Sequence, residues 1–184
     1  MRAAIGIAVP RRHPPRLWLM TDERLGESLW TALDNLPPGA GIVFRHYRTP
    51  LAERRRLFAA VQAIADRRGL VLVRAGADRL AAREDGVHNA ARRPERGLLT
   101  RAVHARREAI AAARVGADLI FVSPVFATRS HPGAAVLGVA RARAIARTFP
   151  GAAIALGGVT PARGRRMMRF GFYGWAAIQA WIAE

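Results

Sequence analysis

The sequence predicts an α/β fold, a single compact (β/α)8 barrel whose last helix is reduced or missing. Three observations carry that expectation. Apolar runs of strand length alternate with longer helical patterns over all 184 residues, which is how strand–helix units feed a parallel sheet. Eight such runs occur, at 17–21, 42–46, 70–73, 86–89, 98–104, 119–123, 153–156 and 173–178. Two of them end in polar or glycine-rich loops, at 126–133 and 157–161, as in a barrel that displays its site at the C-terminal ends of its strands.

The connections are read in the same way. Helical patterns are expected at 24–33, 51–68, 78–83, 105–115, 139–148 and 161–170, the second with Leu57, Ala60, Val61 and Ile64 on one face. The stretch 90–96 is too short and too charged for a helix. Gly69, Gly116 and Gly171 stand where a left-handed residue is needed to end a helix before the next strand. Residues 1–15 read as a loose N-terminal arm and 16–184 as one barrel domain. Only a few residues follow the last strand, so the eighth helix is absent or confined to 181–184. That leaves an apolar flank around Trp175, Ile178 and Trp181, to be covered by the arm or by a second copy of the chain in a homodimer.

Composition narrows the classes of function. There is no cysteine, which excludes disulfides and thiolate metal sites. No run of 18 apolar residues appears, so no spanning helix is expected, and a cleavable leader is poorly supported because the apolar stretch 3–9 is short. A cytoplasmic protein is expected. The net charge of +17 would ordinarily point to a polyanion, yet all 30 basic residues are Arg and they are spread along helical segments. A solvated face is the preferred reading and a phosphate-rich small ligand the next. Nucleic acid comes last, for want of any zinc-finger, RNA-binding aromatic or basic-zipper pattern.

Two segments carry candidate chemistry. In Leu156-Gly157-Gly158-Val159-Thr160-Pro161, glycines after a strand allow close backbone approach, and a Thr-Pro pair opens a helix whose free N–H groups face an anion. A plain tight turn fits the same spacing, so both readings stay open. The loop 126–133 gathers Thr128, Arg129, Ser130 and His131, groups suited to phosphate oxygens, against the alternative of a merely solvated loop. His88 and His104 lie at strand ends facing the same mouth, with a hydrogen-bonded structural role preferred for each. Asp22 reads as a helix cap rather than a cation ligand. Phe44, Tyr47 and the four Trp residues read as packing.

Several segments resemble the thiamine phosphate synthase and thiazole tautomerase superfamily. They are 17–22 (Leu-Trp-Leu-Met-Thr-Asp), 85–88 (Asp-Gly-Val-His), 102–104 (Ala-Val-His), the whole of 116–133 and the 157–161 turn, collinear over nearly the full chain. The resemblance implies a β/α barrel in thiamine biosynthesis and, for the synthases, a transferase joining hydroxymethylpyrimidine pyrophosphate to thiazole phosphate. It implies that Gly157 and Gly158, with Arg129, hold the thiazole phosphate. Thr128 and Ser130 would bond the pyrophosphate, and Arg45 and His131 would face the same mouth. The partners implied are these small phosphorylated substrates.

The sequence departs from the family on one side. The synthases carry magnesium-binding aspartates after the third and fourth strands, where this chain reads Arg74-Ala75-Gly76 and Asn89-Ala90-Ala91-Arg92-Arg93. Mg2+ therefore lacks its usual ligands, and Arg74 and Arg93 are candidates to supply the missing charge, since a guanidinium can clamp phosphate oxygens. Two alternatives remain beside the synthase: a tautomerase, whose histidine before the Val-Phe pair is Pro124 here, and a barrel that binds a phosphorylated ligand without catalysis.

Overall fold

The computed structural model describes residues 13–128, 133 and 135–182. Eight parallel strands close a barrel in chain order: β1 Leu17–Met20, β2 Gly41–Phe44, β3 Val71–Ala75, β4 Gly86–His88, β5 Leu98–Val103, β6 Leu119–Val122, β7 Ala152–Ala155 and β8 Gly174–Ala177. Each run expected from hydropathy overlaps one of them, with β2, β3 and β7 extending one or two residues beyond their runs. Five helices pack outside: α1 Ser28–Asp34, α2 Leu51–Arg68, α3 Arg106–Arg114, α4 Gly138–Ala146 and α5 Pro161–Arg169. Among the described residues no helix is long and apolar enough to cross a membrane.

Strand alternation sorts the core into two layers. Trp18, Met20, Val43, Val73, Leu119, Phe121, Ile154 and Ala176 form one apolar cluster, inside the barrel. Their neighbours Leu19, Ile42, Phe44, Leu72, Ile120 and Val122 join the larger cluster beneath the helices. Trp18 crosses the lumen to meet Phe121 edge-on, ring centroids 5.4 Å apart. β2 must start with Gly41 for this to happen, because a Cβ there would lie 2.3 Å from the Trp18 ring.

Two connections differ from expectation. The 24–33 pattern divides into a 3-10 segment, Glu23–Leu25, and α1, because Asp22 caps the first piece and Gly26 breaks the path at φ 48°. The helix expected at 78–83 does not form. Its carboxylates are committed elsewhere: Glu84 accepts from the Leu80 N–H and from Arg74, and Asp85 accepts from the Leu72 N–H of β3. Hence β3, β4 and β5 follow one another without intervening helices.

The chain's last segment covers the apolar flank. A 3-10 turn, Gln179–Trp181, stacks Trp181 on Trp175 at 4.7 Å, donates from Trp181 Nε1 to the Trp18 carbonyl at 3.1 Å, and accepts from Asn35 at 2.9 Å. Both tryptophans are buried without a second subunit. Residues 1–12 of the arm lie outside the described residues. Its final part docks beside the strand starts, where the Pro14 and Pro15 carbonyls accept from Tyr173 and Trp18.

Candidate functional site

The β7–α5 turn is built by two left-handed glycines. Gly157 has φ 91° and Gly158 φ 62°. Side chains are excluded as well by space, since a Cβ on Gly157 would sit 2.7 Å from Pro124 Cα and one on Gly158 2.2 Å from the Ala127 carbonyl oxygen. The turn is laced to the β6 loop: Val125 donates to Leu156 O at 2.9 Å and Phe126 to Gly157 O at 3.0 Å. Thr160 caps α5 by accepting from the Arg163 N–H at 3.3 Å, with Pro161 in the first turn. A cavity of about 540 Å³ opens here, lined among others by Asp22, Thr128, Gly157, Gly158, Arg163 and Gln179.

Thr128, Gly157 and Gly158 are therefore brought together as the sequence suggests. Arg129, Ser130 and His131 lie outside the described residues. Arg163 was not foreseen. Its guanidinium donates to the Gly158 carbonyl at 2.7 Å and lies 4.8 Å above the Phe126 ring, so it clamps the turn from the helix side. The available signal was its place three residues after Thr160, in the first turn of a helix that opens on a Thr-Pro pair.

Arg45 reaches the mouth from the end of β2. Its Nε donates to Thr21 O at 2.7 Å, its N–H to Thr21 Oγ1 at 2.9 Å, and its Nη2 lies 3.4 Å from Asp22 Oδ2. Asp22 also receives Arg24 Nε and Nη2, each at 2.7 Å, and that hydrogen bonding holds its carboxyl down at about 2. Besides capping the 3-10 segment, Asp22 thus ties the β1 and β2 loops through two guanidiniums. The Thr21 hydroxyl accepts from Arg45 and has its proton left for His46 Nδ1 at 3.0 Å; burial pulls the His46 imidazole below its usual range.

The two mouth histidines take structural partners. His88 is buried at the end of β4, 2.8 Å from Thr100 Oγ1 and edge-on to Phe121, and burial drives it down to about 3 with Arg45 and Arg101 adding to the shift. It is a neutral imidazole throughout the physiological range. His104 Nδ1 is 2.7 Å from Ser123 O; a carbonyl only accepts, so Nδ1 carries a proton and donates it there.

The other candidates do not join this group. Arg74 pairs across from Phe44 in the β2–β3 register, on the face that packs outward, and its guanidinium is spent on Glu84 at 2.8 Å and on the Gly76 carbonyl. Arg93 donates to Gly116 O and Asp118 at the foot of β6, the opposite end of the barrel. Neither can serve as the charge substitute at the mouth. Magnesium fits no better. The ends of β3 and β4 offer Ala75, Gly76 and Asn89, whose Oδ1 already accepts from the Ala102 N–H at 2.8 Å. Among the described residues no group of three or more acidic or histidine side chains gathers to hold a metal, and Asp22, the carboxylate that lines the cavity, is already engaged by Arg24 and Arg45.

Known proteins bear on this geometry. The chain is 29% identical over 182 residues to a putative thiamine-phosphate synthase 2 of Aquifex aeolicus, covering 91% of this chain and 98% of that one. It is 38% identical over 87 residues to a thiamine-phosphate synthase of Chloroflexus aurantiacus, a match spanning 47% of this chain and 40% of that relative's length. The fold resembles that of a thiamine phosphate pyrophosphorylase from Pyrococcus furiosus, with a TM-score of 0.75 at 23% identity over 94% of this chain and 90% of that one. A family model described as thiamine monophosphate synthase matches residues 19–181, and the chain belongs to that family.

Proposed function

We propose that this chain couples hydroxymethylpyrimidine pyrophosphate to thiazole phosphate, giving thiamine phosphate and pyrophosphate. The observation that carries the reading is the cavity of about 540 Å³ over the Gly157-Gly158 turn, with Thr160 capping α5 and Arg163 clamping the turn. The thiazole phosphate occupies this cradle, where the turn backbone and the positive end of α5 face its oxygens. The ring nitrogen then donates its lone pair to the pyrimidine methylene carbon. The carbon–oxygen bond to pyrophosphate breaks and its electron pair leaves on oxygen, so no proton need move. The protein's share is alignment and charge: Arg129 joins the glycine turn in holding the thiazole phosphate, Arg45 faces the reacting centre, and Thr128, Ser130 and His131 attend the leaving group.

A second reading, ligand binding without turnover, is favoured by the carboxylate-free ends of β3 and β4. Incubation with both substrates, with and without magnesium, separates the two. Thiamine phosphate and pyrophosphate in equal amounts support coupling. Saturable binding of thiazole phosphate by folded protein with no product supports the second reading, and absence of binding defeats both.

A further inference from the structure

The strongest unexplained group outside the phosphate cradle is the guanidinium of Arg54. Arg54 lies near the start of α2, on the strand-end side of the barrel, and is only 4% exposed. Among the described residues its one acceptor is the carbonyl of Ala75, the last residue of β3, 2.5 Å from Nη2. Its Nε is buried with no partner at all. No carboxylate pairs with it among the described residues, whereas the other buried mouth arginine, Arg45, has Asp22. A buried guanidinium with one acceptor for five N–H groups is costly unless an anion completes it.

The surroundings are shaped around this group. Gly76, at φ 88°, leaves room for it: a Cβ there would stand 3.1 Å from Nη2 and 3.2 Å from Nη1. The ring of Tyr47 covers the guanidinium at 5.9 Å and is itself 55% exposed, so it can swing aside without losing core packing. Arg54 therefore stands at the end of β3, the place where the family's metal-binding carboxylate would be and where this chain has Ala75 and Gly76.

We propose that Arg54 is the cation that receives the leaving pyrophosphate in this chain, a guanidinium from α2 in place of a carboxylate-held metal. The proposal rests on the coupling reading for its ligand but not for its test. It gives the β3 end of the mouth a direct charge, delivered from the side by a helix, once Tyr47 turns away. Pyrophosphate oxygens supply the missing acceptors for Nε and Nη1 in the forked geometry a guanidinium favours.

The experiment is calorimetric titration of inorganic pyrophosphate into the full chain in magnesium-free buffer, with thiazole phosphate titrated separately. Arg54→Met is expected to weaken pyrophosphate at least tenfold while thiazole phosphate binding stays within twofold. Equal pyrophosphate affinity in folded Arg54→Met overturns the proposal, as does a wild-type chain that binds no pyrophosphate. Should Arg54→Met not fold, Arg54→Lys is read instead: it keeps the charge and loses the fork, and at least a threefold loss supports the assignment where none overturns it. A wild-type chain that binds pyrophosphate through Arg54 but forms no thiamine phosphate removes coupling and leaves this subsite standing.

Discussion

The two sides of the barrel mouth are made by different means. On the β6–β7 side the site is backbone: two left-handed glycines, a capped helix start and a loop laced to the turn by hydrogen bonds at 2.9 and 3.0 Å. On the β2–β4 side it is side chain: Arg45, Arg54 and the buried His88, with no helix between β3 and β5. A backbone site depends on shape, which tolerates few substitutions. A side-chain site depends on charge, which can be moved from strand to helix while the barrel stays closed. That difference explains how the charge on one side can rest on Arg45 and Arg54 while the other side is held by its turn.

The contrast can be broken most strongly through His88. Its folded value, about 3, lies below the ordinary 6.5, so the fold binds fewer protons than the unfolded chain. Stability is complete above about pH 6.5 and falls as pH drops from there toward 3, by about 1.4 kcal/mol per unit. Chemical denaturation at pH 8 and 4.5 is expected to show a loss of about 3 kcal/mol. His88→Gln, which cannot titrate, is expected to flatten most of that slope, leaving the smaller contribution of His46; an unchanged slope would show that the charge side is indifferent to this buried imidazole.

The backbone side is probed next by Gly158→Ala. The new Cβ meets the Ala127 carbonyl at 2.2 Å in a conformation that L-residues avoid, and roughly 100-fold weaker thiazole phosphate binding is expected from strain of a few kcal/mol. Calorimetry with thiazole phosphate measures it. Arg163→Met removes a clamp rather than the cradle and is expected to cost about tenfold in the same titration, the worth of one charge-assisted hydrogen bond. A loss equal to that of Gly158→Ala would mean that this side, too, works through charge.

The smallest effect is assigned to Asp22. Its folded value, about 2, lies below the ordinary 3.8, so its stabilisation is present above about pH 4 and disappears as pH falls toward 2. Because its closest partner, Arg24, is 59% exposed, Asp22→Asn is expected to cost no more than about 1 kcal/mol at neutral pH. Urea denaturation at pH 7 and pH 3 checks both the size and its narrowing at the acid end.

Legibility in the sequence follows the same division. The eight strands and the glycine turn were readable because their causes are local: apolar runs, a Gly pair, a Thr-Pro helix start. Residues 78–83 read as a helix by local pattern, but the stretch is tied down from outside it: Glu84 and Asp85 accept N–H groups from Leu80 and Leu72. Arg74 and Arg93 were placed at the mouth by order in the chain, but strand parity turns one outward and the other reaches the foot of β6. Arg54 passed unnoticed because an arginine in an amphipathic helix reads as solvated. Its burial needs the space at Gly76, 22 residues later, and nothing near it in the sequence announces that.

The link between Trp181 Nε1 and the Trp18 carbonyl spans 163 residues and sits on the seam where β8 meets β1. During translation every residue up to Trp181 must therefore have left the ribosome before this seam can shut. Until then β1 and β7 are open sheet edges, so a nascent chain of this sequence depends on how soon β8 and the 179–181 turn follow, or on a chaperone, to avoid pairing with its neighbours.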